Sequence, residues 1–540
     1  MKAGFFPMRG VTLLVSSAFF CAALLVFIWT FYTPRWETND DIAMAMVAHG
    51  FGLAAEASAN IIFSNVLWGY LVSSLPSIGG VLGYSIGTVA VLFISGAGIL
   101  FYLRRLSVAW PLAAGLTALI LLRPAIFPQF TLNAGLLAVT ALLALSWYIK
   151  SNAKPSLLIF SALSFLGFLI RSQEVIIVFL AALPFFNWKR LAKDRHFLCS
   201  LLLTVSLILI AMAVDWASYR GPAWQNFYEI NQARAPYTDF GLADQLKTRP
   251  DIYGANGYTA NDLDLLKSFF FSDPAIMRPT VLNAMAARLG LVSFAAANLG
   301  AGLQSVRLLL DANLLPLSLL VIALFVFKRD FRVAVAALIV VGMAFLLGLI
   351  GRGGLERVFY PLILMLVLFS VTLSTSKDVE EETLPRHAGQ RGWVQIVAIL
   401  AAFLFSLATL DQQARAVGQH VRQMQAESKK YPDELLFSWG VGIPIEAIFP
   451  LFARDAELRK MRIYGMGVFT FAPFSRAYAE ETSGRGFIPR IRSNEGLLMI
   501  AHDVHMQYLN TWCRERYGVQ LGQELVYQGA QLQIRKLTCH

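Results

Sequence analysis

Two adjacent carboxylates, Asp40 and Asp41, are the residues of this chain best placed to do chemistry. They close the run Trp36-Glu37-Thr38-Asn39-Asp40-Asp41, shortly beyond the end of the first long apolar stretch. One reading is structural: Asn39 or Asp40 caps a helix and Asp41 complements its dipole. The other is a general base held at a membrane surface. Adjacent residues on a helix point about 100° apart, so only one of the pair can face a given point. Asp41 is favoured as the base, and its neighbour is then expected to cap the helix or hold an arginine. Other chemical signals are weaker. Gly83-Tyr84-Ser85-Ile86-Gly87 matches the G-x-S-x-G pattern, but that pattern works on a strand-turn-helix elbow, and here it opens an apolar run. His502 and His505 stand about one helical turn apart without a third ligand, so no metal site is expected. The chain has no phosphate-cradling G-x-x-x-x-G-K, no H-E-x-x-H and no zinc-type cysteine spacing. Of the four cysteines, Cys21 and Cys199 fall inside apolar runs. Cys513 and Cys539 lie in the polar C-terminal stretch, and a disulfide between them is expected in an oxidising compartment.

The composition says what must position these groups. Of 540 residues, 57% are hydrophobic and only 15% charged, with a mean hydropathy of +0.58; soluble domains carry about 25% charged residues. This excludes a disordered chain, a collagen and a small disulfide scaffold. The expected fold is an α-helical polytopic membrane protein of about eleven transmembrane helices with a small C-terminal α/β soluble domain. The apolar runs are 11–31, 86–103, 108–122, 130–149, 156–170, 174–186, 197–214, 312–327, 333–350, 357–374 and 393–410. The first is too long for the h-region of a cleaved signal peptide. The short runs 156–170 and 174–186 flank Arg171-Ser172-Gln173-Glu174 and read as a hairpin, with one long helix burying Arg171 as the alternative. Lys2, Arg9, Arg104, Arg105, Lys150, Lys154, Lys189, Arg190, Lys193, Arg195, Lys328, Arg329, Arg332, Lys377, Arg386 and Arg391 fall on one side of these spans. The opposite short connections hold only Arg123, Arg171, Arg352 and Arg357. The richer side is the cytoplasmic one, so the net charge of +11 reads as loop charge and not as nucleic-acid affinity. The N-terminus is then inside. Residues 1–410 form the membrane body, with outside loops 32–85 and 215–311, and 411–540 form a periplasmic or extracellular domain. In that tail, strands are expected at 434–439, 496–501 and 531–537 and helices at 445–460 and 503–516. Residues 61–71 read as an amphipathic helix lying in the interface.

Asn39-Asp40-Asp41, the stretch from Asn60 to Tyr70 with Trp68, and Trp439-Gly440-Val441-Gly442-Ile443-Pro444-Ile445-Glu446 resemble segments of bacterial envelope proteins of the GT-C glycosyltransferase type. So does the whole layout of an acidic first outside loop, short hydrophobic hairpins and a soluble tail. The W-W-D-x-G signature of oligosaccharyltransferases is missing, which argues against peptide acceptors. The resemblance implies an enzyme of the bacterial inner membrane that moves a sugar from a polyprenyl-phosphate donor to an envelope glycan or lipid acceptor, with inversion. Asp40 or Asp41 would be its base. Arg171, Arg234, Arg352 and Arg357 would be the candidates for holding the donor phosphate, because a leaving phosphate needs positive charge. The resemblance fixes no cofactor and leaves open a divalent cation (Mg or Mn). Membrane lipids are the other expected partners, and nucleic acid is not one. The competing classes are a secondary transporter or flippase of envelope precursors and a non-catalytic membrane receptor or scaffold. A transporter would place ionisable groups at mid-membrane, where these runs hold almost none.

Overall fold

The computed structural model describes residues 6–289, 296–354, 356–380, 388–440, 442–454, 456 and 458–540; Lys2, Leu355, Arg386 and Val441 lie outside the described residues. The chain is mostly helical because long uncharged runs in a bilayer can satisfy their backbone only within a helix. The first helices are α1 (Phe6–Phe31), α2 (Asn39–His49), α3 (Val66–Ser74), α4 (Gly83–Arg105), α5 (Trp110–Ile126), α6 (Phe130–Ser151) and α7 (Pro155–Ala182). Among the described residues, eight helices are long and apolar enough to cross a membrane. The number is nine if Asn298–Leu310 and Leu315–Phe327, bent by 80°, form one span. The expectation of about eleven is corrected accordingly, since α5 is a shorter apolar helix and α7 is a special case.

Taken as one rod, α7 with the turn that follows it would be long enough to cross. It is not a rod. Arg171 leaves the helical region at φ −158° and ψ 95°, and the chain doubles back. Phe160 and Phe179 stack with ring centroids 6.0 Å apart, whereas a continuous helix would separate them by about 28 Å. The two arms are the expected hairpin, with the polar Arg-Ser-Gln-Glu group at its tip.

The helix ends sort into two sets. At one end Lys150 donates to Ser107 (3.2 Å) and Tyr148 donates to Asp194 (2.6 Å). At the other end the loop before α2 pairs its backbone with the end of α5, through Arg35 N to Ile126 O at 3.1 Å and Glu37 N to Pro128 O at 3.1 Å. There the hairpin tip meets α3, through Asn65 N to Leu169 O at 2.8 Å. Asp215, near the end of Arg195–Ser218, accepts from Val66 N at 2.7 Å.

The tail carries a five-stranded sheet of order β2-β1-β3-β5-β4. The strands are β1 (Leu435–Trp439), β2 (Arg462–Met466), β3 (Leu497–Ile500), β4 (Gly522–Gln528) and β5 (Gln533–Thr538). β1 runs parallel to both β2 and β3, while β5 is antiparallel to β3 and β4. β1, β3, β5 and the helix Asp503–Tyr517 match the expected elements. The helix expected at 445–460 does not form: only Ile445–Ile448 and a 3-10 turn at Leu458–Lys460 are helical, because Pro444 and Pro450 bound the first turn. Nor is 61–71 one interfacial helix, since α3 begins at Val66 with Asn65 accepting from Leu67 N. The loop segment 233–285 shares one apolar core with the sheet: Phe270 packs on Trp439 and Trp512, and Trp512 donates to Asp273 at 2.8 Å. The disulfide Cys513–Cys539, with Cα atoms 5.9 Å apart, ties the helix Asp503–Tyr517 to the chain after β5.

A cysteine pair tests the hairpin. Phe160→Cys with Phe179→Cys should cross-link readily with a short bifunctional maleimide in the membrane-embedded protein. Absence of the intrachain link would restore the single long helix.

Candidate functional site

Helix α2 is short, and eight of its eleven residues are buried. It is covered by the tail rather than by solvent. Trp36 donates to Phe449 O at 3.0 Å, Arg35 pairs with Glu446 at 3.2 Å, and Ile463 N donates to Gly52 O at 3.1 Å. Arg476 donates to Ala54 O at 3.0 Å. The acidic start of α2 is therefore clamped between the membrane helices and the sheet.

The two carboxylates divide as adjacent helical residues must. Asp41 is fully buried; it accepts from Phe130 N (3.0 Å), at the start of α6, and from Tyr84 Oη (3.1 Å), at the start of α4. Burial, with the charge of Asp40 adding to it, pushes the Asp41 carboxyl well above the ordinary carboxylate range. Asp40 is open: its side chain is 30% exposed, and its Oδ2 lies 3.5 Å from the Arg357 guanidinium. Burial raises its carboxyl too, and Arg357 and then Arg171 pull it part of the way back. Asp41 thus joins the starts of two helices, and Asp40 is the more exposed of the two. Neither Asn39 nor Asp40 caps α2; Thr38 occupies the cap position.

The four arginines separate into two pairs. Arg357 contacts Asp40 directly. Arg171, at the hairpin tip, donates to Phe63 O at 3.0 Å, lies over the Phe130 ring at 5.3 Å and is close enough for its charge to act on Asp40. Arg234 and Arg352 instead converge on Asp239, at 3.3 and 3.2 Å. Arg234 is almost fully buried, bonded to Asn231 and Thr238 and set over Phe269. Arg234 lies on the helix Pro222–Asp239 and Arg352 in the turn at Gly351; neither contacts Asp40 directly, although Arg352 is near enough for its charge to act on Arg171.

Two cavities meet this region. The larger, about 1030 Å³, is lined by Arg171, Ile176, Met212, Trp216, Tyr219 and Tyr228 among others. The smaller, about 100 Å³, is lined by Asp40 and by residues of the tail. Phe63 lines both. No cluster of His, Cys, Asp and Glu suited to a metal occurs among the described residues, and His505 stacks on Trp439 (ring centroids 4.7 Å).

Among solved structures, the chain is similar to the crystal structure of ArnT from Cupriavidus metallidurans bound to undecaprenyl phosphate. The likeness covers 98% of each chain, with 12% sequence identity and a TM-score of 0.39. No family model matches the chain. No curated protein matches it either.

Sequence reasoning missed a charge network beside Asp40. Arg123, 7% exposed, binds Glu37 at 2.7 Å and Glu356 at 2.9 Å, and Asn313 donates to Glu356 at 3.0 Å. Glu356 precedes Arg357, so one turn of the helix Glu356–Glu380 holds both the approach to α2 and Asp40 itself. A membrane-embedded Arg amid carboxylates was the available signal, since such a group needs partners.

Substitutions at Asp41 separate its role from that of Asp40. Asp41→Ala strands Tyr84 Oη and Phe130 N and should lower stability by about 1–3 kcal/mol. Asp41→Asn mimics the neutral acid and should cost little. A raised pKa means that the native state binds more protons than the unfolded one. The wild-type carboxyl's contribution should therefore fade as pH rises through its native pKa, and the Asn variant should not show that loss. Thermal unfolding in detergent across pH measures both. Equal stability of the Ala variant would remove Asp41 from this role.

Proposed function

We propose that this protein is a membrane glycosyltransferase that uses a polyprenyl-phosphate-linked sugar, with Asp40 as general base and Arg357 and Arg171 as the cations facing the donor phosphate. The observation that carries the reading is the pairing at the helix ends: one accessible carboxylate, partly desolvated, with one guanidinium against it and a second acting on it. A transporter would need such groups at mid-membrane, and a scaffold would not need a partly desolvated, accessible carboxylate.

The chemistry follows from these groups. Asp40 takes the proton of an acceptor hydroxyl as that oxygen attacks the anomeric carbon. The new carbon–oxygen bond forms as the bond to the phosphate oxygen breaks, and polyprenyl phosphate leaves carrying the electron pair. A single displacement inverts the anomeric centre. Negative charge grows on the leaving phosphate, and a guanidinium stabilises it more effectively in a poorly hydrated site than in water. We place the donor phosphate at Arg171, with the prenyl chain along Ile176 and Met212 in the large cavity and the sugar directed past Phe63 to Asp40. Arg357 has two tasks: it keeps Asp40 ionised, and it meets the departing charge. No step requires a metal. We further place residues 411–540 and the loops 32–85 and 215–311 on the outer side, because the other helix ends carry Arg104, Lys150, Lys189, Arg190 and Arg195. Residues 1–410 then make the membrane body of a multi-pass inner-membrane protein, and the tail caps its reaction site.

Asp40→Asn keeps the shape and removes the proton acceptor, so sugar transfer should fall by about 10²–10⁴-fold while the protein folds normally. Arg357→Lys keeps charge but loses the planar fork and should lower turnover less than Arg357→Ala. In the wild type, turnover should rise with pH through an inflection above the ordinary carboxylate value of about 3.9, because only ionised Asp40 accepts a proton. Assay of purified protein with synthetic polyprenyl-phosphate sugars tests all three, and undiminished transfer by the Asp40 variant would end the assignment.

A further inference from the structure

We infer that the smaller cavity is the acceptor pocket and that it takes a neutral sugar hydroxyl, not a phosphate or another anionic acceptor; this rests on Asp40 being the base. The cavity lies between α2 and the tail sheet. Its membrane side is Asn39, Asp40, Ala43, Leu53 and Phe63. Its tail side is built at the carboxyl ends of two parallel strands: Gly440 follows β1, and Gly467 follows β2. Open α/β sheets bind their ligands in the crevice outside the carboxyl ends of the strands. Here that crevice is closed by a helix from the membrane body, and the helix brings a carboxylate.

The charge pattern decides the ligand class. Asp40 is the only charged side chain among the described residues that line this cavity. The cations lie elsewhere: Arg171 lines the larger cavity, and Arg357 approaches Asp40 without lining the smaller one. A phosphate seated here would meet a carboxylate and no cation among the lining residues, with Arg357 already paired to that carboxylate, which disfavours it, whereas a hydroxyl donates to the carboxylate. Asn39 lines it from α2, and the two lining serines are occupied within the tail. Ser438 Oγ accepts from Ile443 N at 3.2 Å; Ser475 Oγ donates to Thr470 O at 2.9 Å and accepts from Tyr478 N at 3.0 Å. Ile443, Ile463 and Phe469 supply apolar walls, a mixture typical of small-ligand sites. A volume of about 100 Å³ suits the edge of one sugar ring. The tail is therefore a specificity element, and its lining glycines, Gly440, Gly465 and Gly467, keep side chains out of that wall.

Gly467 allows a clean test. Its backbone is not left-handed, and a Cβ there meets no atom within 4 Å, so a side chain fits at this lining position without strain. The full chain is placed in lipid nanodiscs and probed by saturation-transfer NMR with neutral methyl hexosides and, separately, with hexose phosphates. The methyl hexosides should receive saturation. Their apparent affinity should drop by about 10-fold or more in Gly467→Leu and by less in Gly467→Ala, which decides the matter if the Leu variant does not fold. The inference is overturned if hexose phosphates bind in preference and lose binding in these variants, if neither substitution alters hexoside binding, or if no hexoside signal appears. The base assignment is read separately, by loss of donor turnover in Asp40→Asn; hexoside binding with no donor turnover in wild type would sink the transferase and leave the pocket.

Discussion

Keeping charge matched where water is scarce is the constraint from which the rest of this architecture follows. Arg123, Glu37, Glu356, Arg357 and Asp40 form a chain of opposite charges at the helix ends. Arg123, 7% exposed, is too poorly hydrated to stand alone, and stripping a buried charge of its partner typically destabilises by about 3–5 kcal/mol; Asp40 and Arg357 are more exposed. The members come from four parts of the chain: the loop before α2, α2 itself, α5 and the helix Glu356–Glu380. Satisfying them brings those parts to one place. The position of Asp40 is thus a result of electrostatic bookkeeping among residues that are far apart in sequence.

The tail completes this arrangement. The backbone bond from Ile463 N to Gly52 O and the bond from the Arg476 guanidinium to Ala54 O, together with the Arg35–Glu446 pair, fix the loop that carries α2. The tail's own core is shared with the segment 233–285. Neither loop nor tail therefore stands as a separate layer, and a change in one is expected to reach Asp40 through the other. Large apolar faces remain exposed on α1 and on Arg195–Ser218, including Phe19, Phe27, Leu202 and Leu209. In water these would drive aggregation; in a bilayer they meet lipid tails.

Much of this was legible in the sequence where the signal is local. Runs of apolar residues show the helices, the Arg-Ser-Gln-Glu group marks the hairpin tip, and Asp40-Asp41 stands out because carboxylates are scarce near the spans. What was not legible depends on distant partners. The surroundings of Asp40 and Asp41 differ because Tyr84 and Phe130 face one and Arg357 the other. Arg123 finds Glu37 and Glu356 at separations of 86 and 233 residues, which no spacing rule anticipates. β2 was missed because Ile463, Tyr464 and Met466 are buried in a strand too short to show alternation. β4 was missed because its residues are largely exposed. The helix expected at 445–460 failed because two prolines outweigh an apolar pattern.

The central claim is that a lipid phosphate and the Asp40 carboxylate share one place at the helix ends. A cryo-electron microscopy map of the nanodisc-embedded protein with added polyprenyl phosphate tests it most directly. The account predicts head-group density within hydrogen-bonding distance of the Arg171 or Arg357 guanidinium, with the prenyl chain running between the hairpin and the helix Arg195–Ser218. Density for the phosphate at the opposite helix ends, or beside Arg234 and Arg352 with none near Asp40, would contradict it.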